Sequence, residues 1–303
     1  MRIGVGLPAA VPGAPFDRLG DWAAAAEAYG FHQLAALDRL VYDSLDPIIA
    51  LTAAAARTSR VELITTILGV PYRQNAVVLA KQLASLDLVA GGRFVAGLAL
   101  GGWPEDYAAS DVPLRGRGTR FATMIDSLRS VWAGKLAGAA GAMAPHPGSG
   151  PPILLGALSP AGVDRVAAFA DGWIGPFFGL QLLRDGIESA NRAWQRAGRD
   201  GRPRVITQRY FCLGPRADEV AGGYLDHYYG AAYRSEVLAD TMITPARLIE
   251  QIDRIEATGC DDLVFFPCTA DHDQLQRLVD ALAASRHRLQ PVIDHQHLTE
   301  RSS

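Results

Sequence analysis

Residues 61–98, VELITTILGVPYRQNAVVLAKQLASLDLVAGGRFVAGL, hold one complete strand–helix–strand unit. Val61 to Leu68 is rich in β-branched residues and reads as a strand. Asn75 is placed to cap a helix presenting Val78, Leu79, Leu83, Leu86 and Val89 on one side. Gly91-Gly92 then turns the chain into a further strand, Arg93 to Leu98.

The same alternation extends in both directions. Arg2 to Leu7 reads as a strand, followed by a helix carrying Leu19, Trp22, Ala23, Ala26 and Tyr29, with Asp17 as its N-cap and Gly30 as its stop. Phe31 to Leu37 supplies another strand, and Asp46-Pro47 opens a helix through Ala56. Beyond residue 100 a helix is expected over Gly118–Ala133, and residues 134–151, dominated by Gly, Ala, Pro and Ser, read as a surface connection. Strands are expected at Pro152–Gly156, Gly172–Gly175, Arg204–Leu213 and Asp262–Phe266, with helices at Ala161–Ala170, Leu180–Ala197, from Thr244-Pro245 to a stop at Gly259, and Leu275–Ala284. Such alternation admits a closed barrel or an open doubly wound sheet. The strand count and the lack of Gly-x-Gly-x-x-Gly after the first strand favour an α/β fold of the (β/α)8 TIM-barrel type. It is read as a single domain over residues 1–284 with a polar tail over 285–303. In either fold, chemistry belongs at the C-terminal ends of the strands.

Composition narrows the function. A net charge of −3 lacks the basic excess of a nucleic-acid binder. No run of about 18 apolar residues occurs and no leader pattern opens the chain, so neither membrane insertion nor export is expected. Cys212, Cys260 and Cys268 have no ligand or disulfide spacing and fit a reducing cytoplasm. His272, between two aspartates, reads as a helix-start residue, and His287, His295 and His297 as solvated, so no metal site is expected.

Three stretches resemble the luciferase-like flavin oxidoreductase family, which includes deazaflavin-dependent relatives. They are TTILGVPYRQNAVVLAKQLASLDLVAGGRFVAGLALGGWPEDY (65–107), RGRGTRFATMIDSLRSVWAG (115–134) and PPILLGALSPAGVDRVAAFADGWIGP (151–176). The resemblance implies a luciferase-like barrel holding a flavin, with a non-proline cis peptide at Thr66-Ile67. It implies cofactor-binding positions at Leu100, Gly101 and Gly102 and a phosphate cradle at Gly156, Ala157, Leu158 and Ser159; Gly101 and Gly102 allow close backbone approach to a ring, with a simple tight turn as the competing reading. The last segment also reads as an anion site from first principles, because free amides, a dipole and a hydroxyl meet at a helix start; ordinary capping by Ser159 is the competing reading. Trp103 and Tyr107 are candidates for the substrate pocket, or aromatics under a loop.

Asp38 and Arg39, at the end of the second strand, are the candidate catalytic pair, with a barrel-sealing ion pair as the competing reading. They stand where sugar-oxidising relatives carry Asp-His, and Gly102 where those relatives carry an acid, so sugar oxidation is disfavoured. Leu100 replaces an arginine that luciferase directs at the FMN phosphate. The expected activity is a two-component monooxygenase using reduced FMN, delivered by a separate reductase, and oxygen on a small organic substrate. The alternatives are a deazaflavin-dependent hydride transfer and a non-catalytic flavin-binding barrel. Residues 101–117 and 227–229 are the expected lids. A homodimer through the second and third helices is implied by the same resemblance, and the alanines of Ala50–Ala56 suit close helix approach.

Overall fold

A computed structural model describes residues 1–145, 148, 150–230, 234–283 and 285–290. Eight parallel strands form the frame among the described residues: β1 Arg2–Gly6, β2 Gln33–Ala36, β3 Glu62–Thr65, β4 Phe94–Ala99, β5 Ile153–Gly156, β6 Gly172–Ile174, β7 Arg204–Phe211 and β8 Asp262–Pro267. Each pairs with its sequence neighbour, and β8 pairs with β1 through Val264↔Gly4 and Phe265↔Val5, so the sheet closes into a TIM barrel. The helices are α1 Leu19–Tyr29, α2 Pro47–Ala55, α3 Ala76–Val89, α4 Pro104–Ala109, α5 Arg117–Trp132, α6 Pro160–Phe169, α7 Leu180–Arg196, α8 Ala217–Tyr229, α9 Arg234–Asp240, α10 Pro245–Glu256 and α11 Asp273–Ala283. None is long and apolar enough to cross a membrane.

Side-chain alternation divides the core in two. Ala35, Ile64, Val95, Leu154, Ile206 and Val264 gather in the bore, whereas their neighbours Leu34, Leu63, Phe94, Leu155, Val205 and Leu263 lie in the cluster between barrel and helices. Cys268 is buried with the bore cluster. Charged first residues of the strands close the bore at its N-terminal end. Arg204 donates to Glu62 at 3.0 Å and to Asp262 at 2.8 Å, and Arg2 donates to Asp262 at 2.8 Å. An open depression of about 670 Å³ at this end is lined by Arg2, Arg202 and Arg204, each ion-paired.

Local signals place the helices. Asp46 accepts hydrogen bonds from the amides of Ile48 and Ile49 at the start of α2, and Asn75 accepts from Val77 and Val78 at the start of α3. Gly30 ends α1 in the left-handed conformation, φ +88°. Asp17 does not cap α1 as expected: it lies in a single 3-10 turn, Phe16–Arg18, and Arg18 occupies the cap position without a side-chain bond. The surface connection carries a two-residue antiparallel hairpin, Ala137–Gly138 with Gly141–Ala142. His287 is not solvated either. Its side chain is 5% exposed, and Nε2 lies 3.1 Å from Asp253. Asp253, Glu256 and His287 are close enough together to ligate an ion, but Arg286, 3.0 Å from Asp253, and the amino terminus, 3.0 Å from Glu256, already balance the acids. His295 and His297 lie outside the described residues.

Candidate active site

The C-terminal end of the barrel is built around the loops after β2 and β3. The Thr66-Ile67 peptide is cis, Leu68–Gly69 then pairs with Leu98 and Ala99 of β4, and a 3-10 turn at Pro71–Arg73 follows. That turn delivers three donors to Asp38: the Gly69 amide at 2.8 Å, the Tyr72 hydroxyl at 2.8 Å and the Arg73 guanidinium at 2.9 Å. Burial pushes the Asp38 carboxyl up from its ordinary range, opposed by Arg73 and by these hydrogen bonds. Asp38 therefore ties the β2 loop to the β3 loop.

Arg39 points into a different environment. Its guanidinium lies 3.8 Å from the centre of the Trp103 ring and 4.9 Å from that of Tyr42, pairs with Glu105 at 2.7 Å, and donates to the carbonyl of Tyr228. Tyr42 extends the cluster: its hydroxyl lies 2.8 Å from His227 Nδ1, and its ring meets Tyr228 edge to face at 5.0 Å. Residues from the β2 loop, α4 and the end of α8 thus converge. Trp103, Tyr42, Phe177 and Tyr229 all lie against the bore cluster, and Phe177 stacks on Tyr210 at 5.3 Å.

The glycines after β4 and β5 make room beside this rim. A Cβ on Gly156 would sit 2.7 Å from Ile67 Cδ1 and 3.4 Å from the Cβ of Ala99, so the ends of β3, β4 and β5 meet at one point. The hydroxyl of Thr66, next to Ile67 in the chain, is buried and has no hydrogen-bond partner among the described residues. Gly101 adopts φ +77° with its carbonyl accepting from Arg117 at 3.3 Å, and Gly102 faces open space. Tyr107, expected at the substrate pocket, is buried instead. Its hydroxyl donates to the Leu100 carbonyl, and its ring meets Tyr72 at 5.4 Å, so it supports the loop from below. At α6, Ser159 Oγ accepts from the Gly162 amide at 3.2 Å, the Ala157 carbonyl accepts from Trp173 Nε1 at 2.7 Å, and Leu158 is exposed. Ser159 is thus a helix cap. The Arg165 guanidinium of α6 lies against Gly118 of α5, with no hydrogen bond or ion pair among the described residues.

The model of one family, described as luciferase-like monooxygenase, matches residues 1–257. The chain belongs to this family. An uncharacterized protein of Mycobacterium tuberculosis is 30% identical over 180 residues, covering 54% of this chain and 61% of the relative. An F420-dependent glucose-6-phosphate dehydrogenase of Nakamurella multipartita is 29% identical over 214 residues, covering 58% of this chain and 59% of the relative. The matches thus span about 60% of the length of these curated relatives. A monooxygenase from Streptomyces bottropensis has the same fold, with a TM-score of 0.75 at 21% identity over 93% of this chain and 98% of its own.

Within this luciferase-like barrel, Gly101, Gly102, Trp103 and Gly156 end or follow the strands expected of them, whereas Thr66 and Ile67, expected inside a strand Val61–Leu68, lie beyond β3, which ends at Thr65. Sequence reasoning missed Tyr42, Tyr72 and Arg73, and read His227 only as part of a lid over residues 227–229. Tyr72 and Arg73 lie in the first family stretch, at Pro71-Tyr72-Arg73, but their spacing does not reveal Asp38 as their partner; the 3-10 turn does. Nothing in the sequence connects Tyr42 to His227, 185 positions later.

Proposed function

We propose that the protein is a deazaflavin-dependent oxidoreductase that moves a hydride between the cofactor and a small organic substrate. The supporting observation is the place where Ile67, Ala99 and Gly156 meet, beside the unsatisfied buried hydroxyl of Thr66. An apolar wall, small residues that permit close approach and an unpaired polar group suit a flat heterocycle with a polar edge. The residues that would hold it are Thr66, Ile67, Leu100, Gly101, Gly102 and Gly156 to Ser159, with Arg165, against Gly118 of α5, a further cation for a phosphate. When bound, the cofactor supplies the two-electron chemistry. The chain orients the substrate under Arg39 and Trp103 and excludes water with the aromatic rim.

The choice of cofactor rests on the relatives. The similarity to the F420-dependent dehydrogenase is one of sequence at 29% identity, whereas the likeness to the monooxygenase, at 21%, is one of fold. The second reading is the two-component monooxygenase with FMN reduced by a partner reductase, favoured by the family's own description. Sugar is not the proposed substrate, since Arg39 and Gly102 replace the groups that sugar-oxidising relatives carry. Titrating the purified chain with F420 and with FMN, each oxidised and reduced, followed by mixing the reduced complexes with oxygen, tests the reading. Tight F420 binding without oxygen consumption is expected. Tight binding of reduced FMN with oxygen-dependent oxidation selects the monooxygenase instead, and binding of neither leaves a non-catalytic barrel.

The same reading includes a homodimer through α2 and α3. Ile49, Val78, Leu88 and Val89 on these helices are exposed, 51–63% each, an unusual set of apolar groups to leave in water.

A further inference from the structure

We propose that the end of α8 is a gate over the barrel mouth, hinged at Gly222-Gly223 and latched shut by Arg39, and that a ligand enters the bore only after the latch lets go. The proposal rests on the reading that the ligand site is at the C-terminal end of the barrel, and it names what controls entry there. One guanidinium joins three parts of the rim. Arg39, from the loop after β2, lies 3.8 Å from the centre of the Trp103 ring, pairs with Glu105 at the start of α4 and donates to the carbonyl of Tyr228 in the last turn of α8. A cation at that place meets both a carbonyl left without a helical partner and the negative end of the helix dipole.

The elements that Arg39 joins are not held alike. α4 has further ties: the Asp106 carboxylate accepts from the Val41 amide at 2.8 Å, the Tyr107 hydroxyl donates to the Leu100 carbonyl, and the Gln74 side chain donates to the Ser110 carbonyl. It therefore stays with the loops beneath it when Arg39 moves. The end of α8 hangs on side chains: Arg39 at the Tyr228 carbonyl, Tyr42 at His227, 2.8 Å, and Tyr210 at Tyr229, 3.1 Å, while Asp226 pairs with Arg234 of α9, which follows it in the chain. The helix also carries its own hinge. Gly222-Gly223 lowers helix propensity just before Tyr224, and a Cβ on Gly223 would meet nothing within 4 Å, so packing does not require a glycine there. Gly230, at φ +61° and ψ −149°, ends the helix in a conformation that only glycine adopts readily. Behind the gate, Tyr210 is 1% exposed, and so is Gln208, which faces the same side of β7 and has neither amide atom hydrogen-bonded among the described residues. An unpaired polar side chain behind an aromatic cover suits a space that a polar guest enters.

The test uses the full chain with two variants: Arg39→Met, which keeps an aliphatic stem beside Trp103, and Gly223→Ala, which stiffens the hinge without a clash. In hydrogen exchange of the unliganded chain, residues 224–229 are expected to lose protection in Arg39→Met and to gain it in Gly223→Ala, with 104–109 unchanged in both. In stopped-flow mixing with FMN and with F420, the observed rate for the parent is expected to level off with ligand concentration at the opening rate. That plateau should rise about tenfold in Arg39→Met, which loses a charged hydrogen bond, and fall about fivefold in Gly223→Ala. Parent rates that climb linearly with concentration, exchange at 224–229 indifferent to both substitutions, or joint loss of protection at 104–109 and 224–229 would each overturn the gate. If Arg39→Met does not fold, Tyr42→Phe replaces it, with the same directions expected. Binding of neither FMN nor F420 overturns the cofactor reading, and the exchange at 224–229 then decides the gate alone.

Discussion

Arg73 is the counter-charge of Asp38: the two lie 2.9 Å apart, the carboxylate 2% exposed and the guanidinium 16%. Removing one member of a buried pair leaves the other desolvated and alone, which costs more than the pair itself contributes. Asp38→Ala is expected to lower unfolding free energy by about 3 kcal/mol, read from urea denaturation. Asp38→Asn retains an acceptor oxygen and is expected to lose less. Equal stability of Asp38→Ala and the parent would show that Arg73 finds Asp46, 3.0 Å away, a sufficient partner.

Glu27 gives a pH signature. Near the end of α1 it accepts from the amides of Ser59, Arg60 and Val61 just ahead of β3, at 3.0, 2.7 and 2.9 Å. Burial pushes its carboxyl up, but these amide bonds and the charge of Arg60 outweigh it and hold the carboxyl below its ordinary value. A depressed folded-state pKa means the contribution is full above the unfolded glutamate pKa, about 4.3, and is lost as pH falls through the folded value. Glu27→Gln is expected to cost about 2 kcal/mol at pH 7. The gap between variant and parent should close on acidification; a gap that persists at pH 3 would assign the loss to packing.

Ile49→Glu combined with Val78→Glu tests the α2–α3 face. Both side chains are exposed, at 63% and 51%, so the exchange costs the isolated chain little. If a second copy covers the face, two buried acids facing their symmetry mates should convert a dimer to a monomer in sedimentation velocity. A parent that is monomeric at micromolar concentration would remove the dimer from the reading.

How much of this was readable in the sequence depends on the range of the interaction. The eight strands announced themselves because alternating apolar residues and glycine or proline boundaries are local signals. Helix α8 did not, although Ala217, Ala221, Tyr224, Leu225 and Tyr228 are buried at helical spacing. Gly222 and Gly223 interrupt its propensity by about 1 kcal/mol each, and burial against the bore overrides that penalty. The short α4, begun by Pro104, was hidden inside what reads as a loop. At the site, the strand-end glycines were legible because backbone requirements are local. The partners of Asp38 and of Tyr42 were not, since bonds across 34 and 185 positions depend on where closed loops land.

Gly156 and Ser159 separate the two parts of the proposed cofactor cradle. A side chain at Gly156 must displace the end of Ile67, which is flexible, so Gly156→Ala should fold while its methyl narrows the meeting point of β3, β4 and β5. Weaker binding of the cofactor ring is expected, about tenfold, with little change in the melting temperature of the unliganded chain. Ser159→Ala removes the side-chain cap of α6 and should cost about 1 kcal/mol of stability whether or not a phosphate binds there. Its effect on the cofactor is the informative part. If the α6 amides and Ser159 hold a phosphate, affinity should fall for F420 but not for the deazaflavin stripped of its phosphate, which keeps the same ring. Equal losses for both would place the phosphate elsewhere, with Arg117 and Arg165 the next residues to replace.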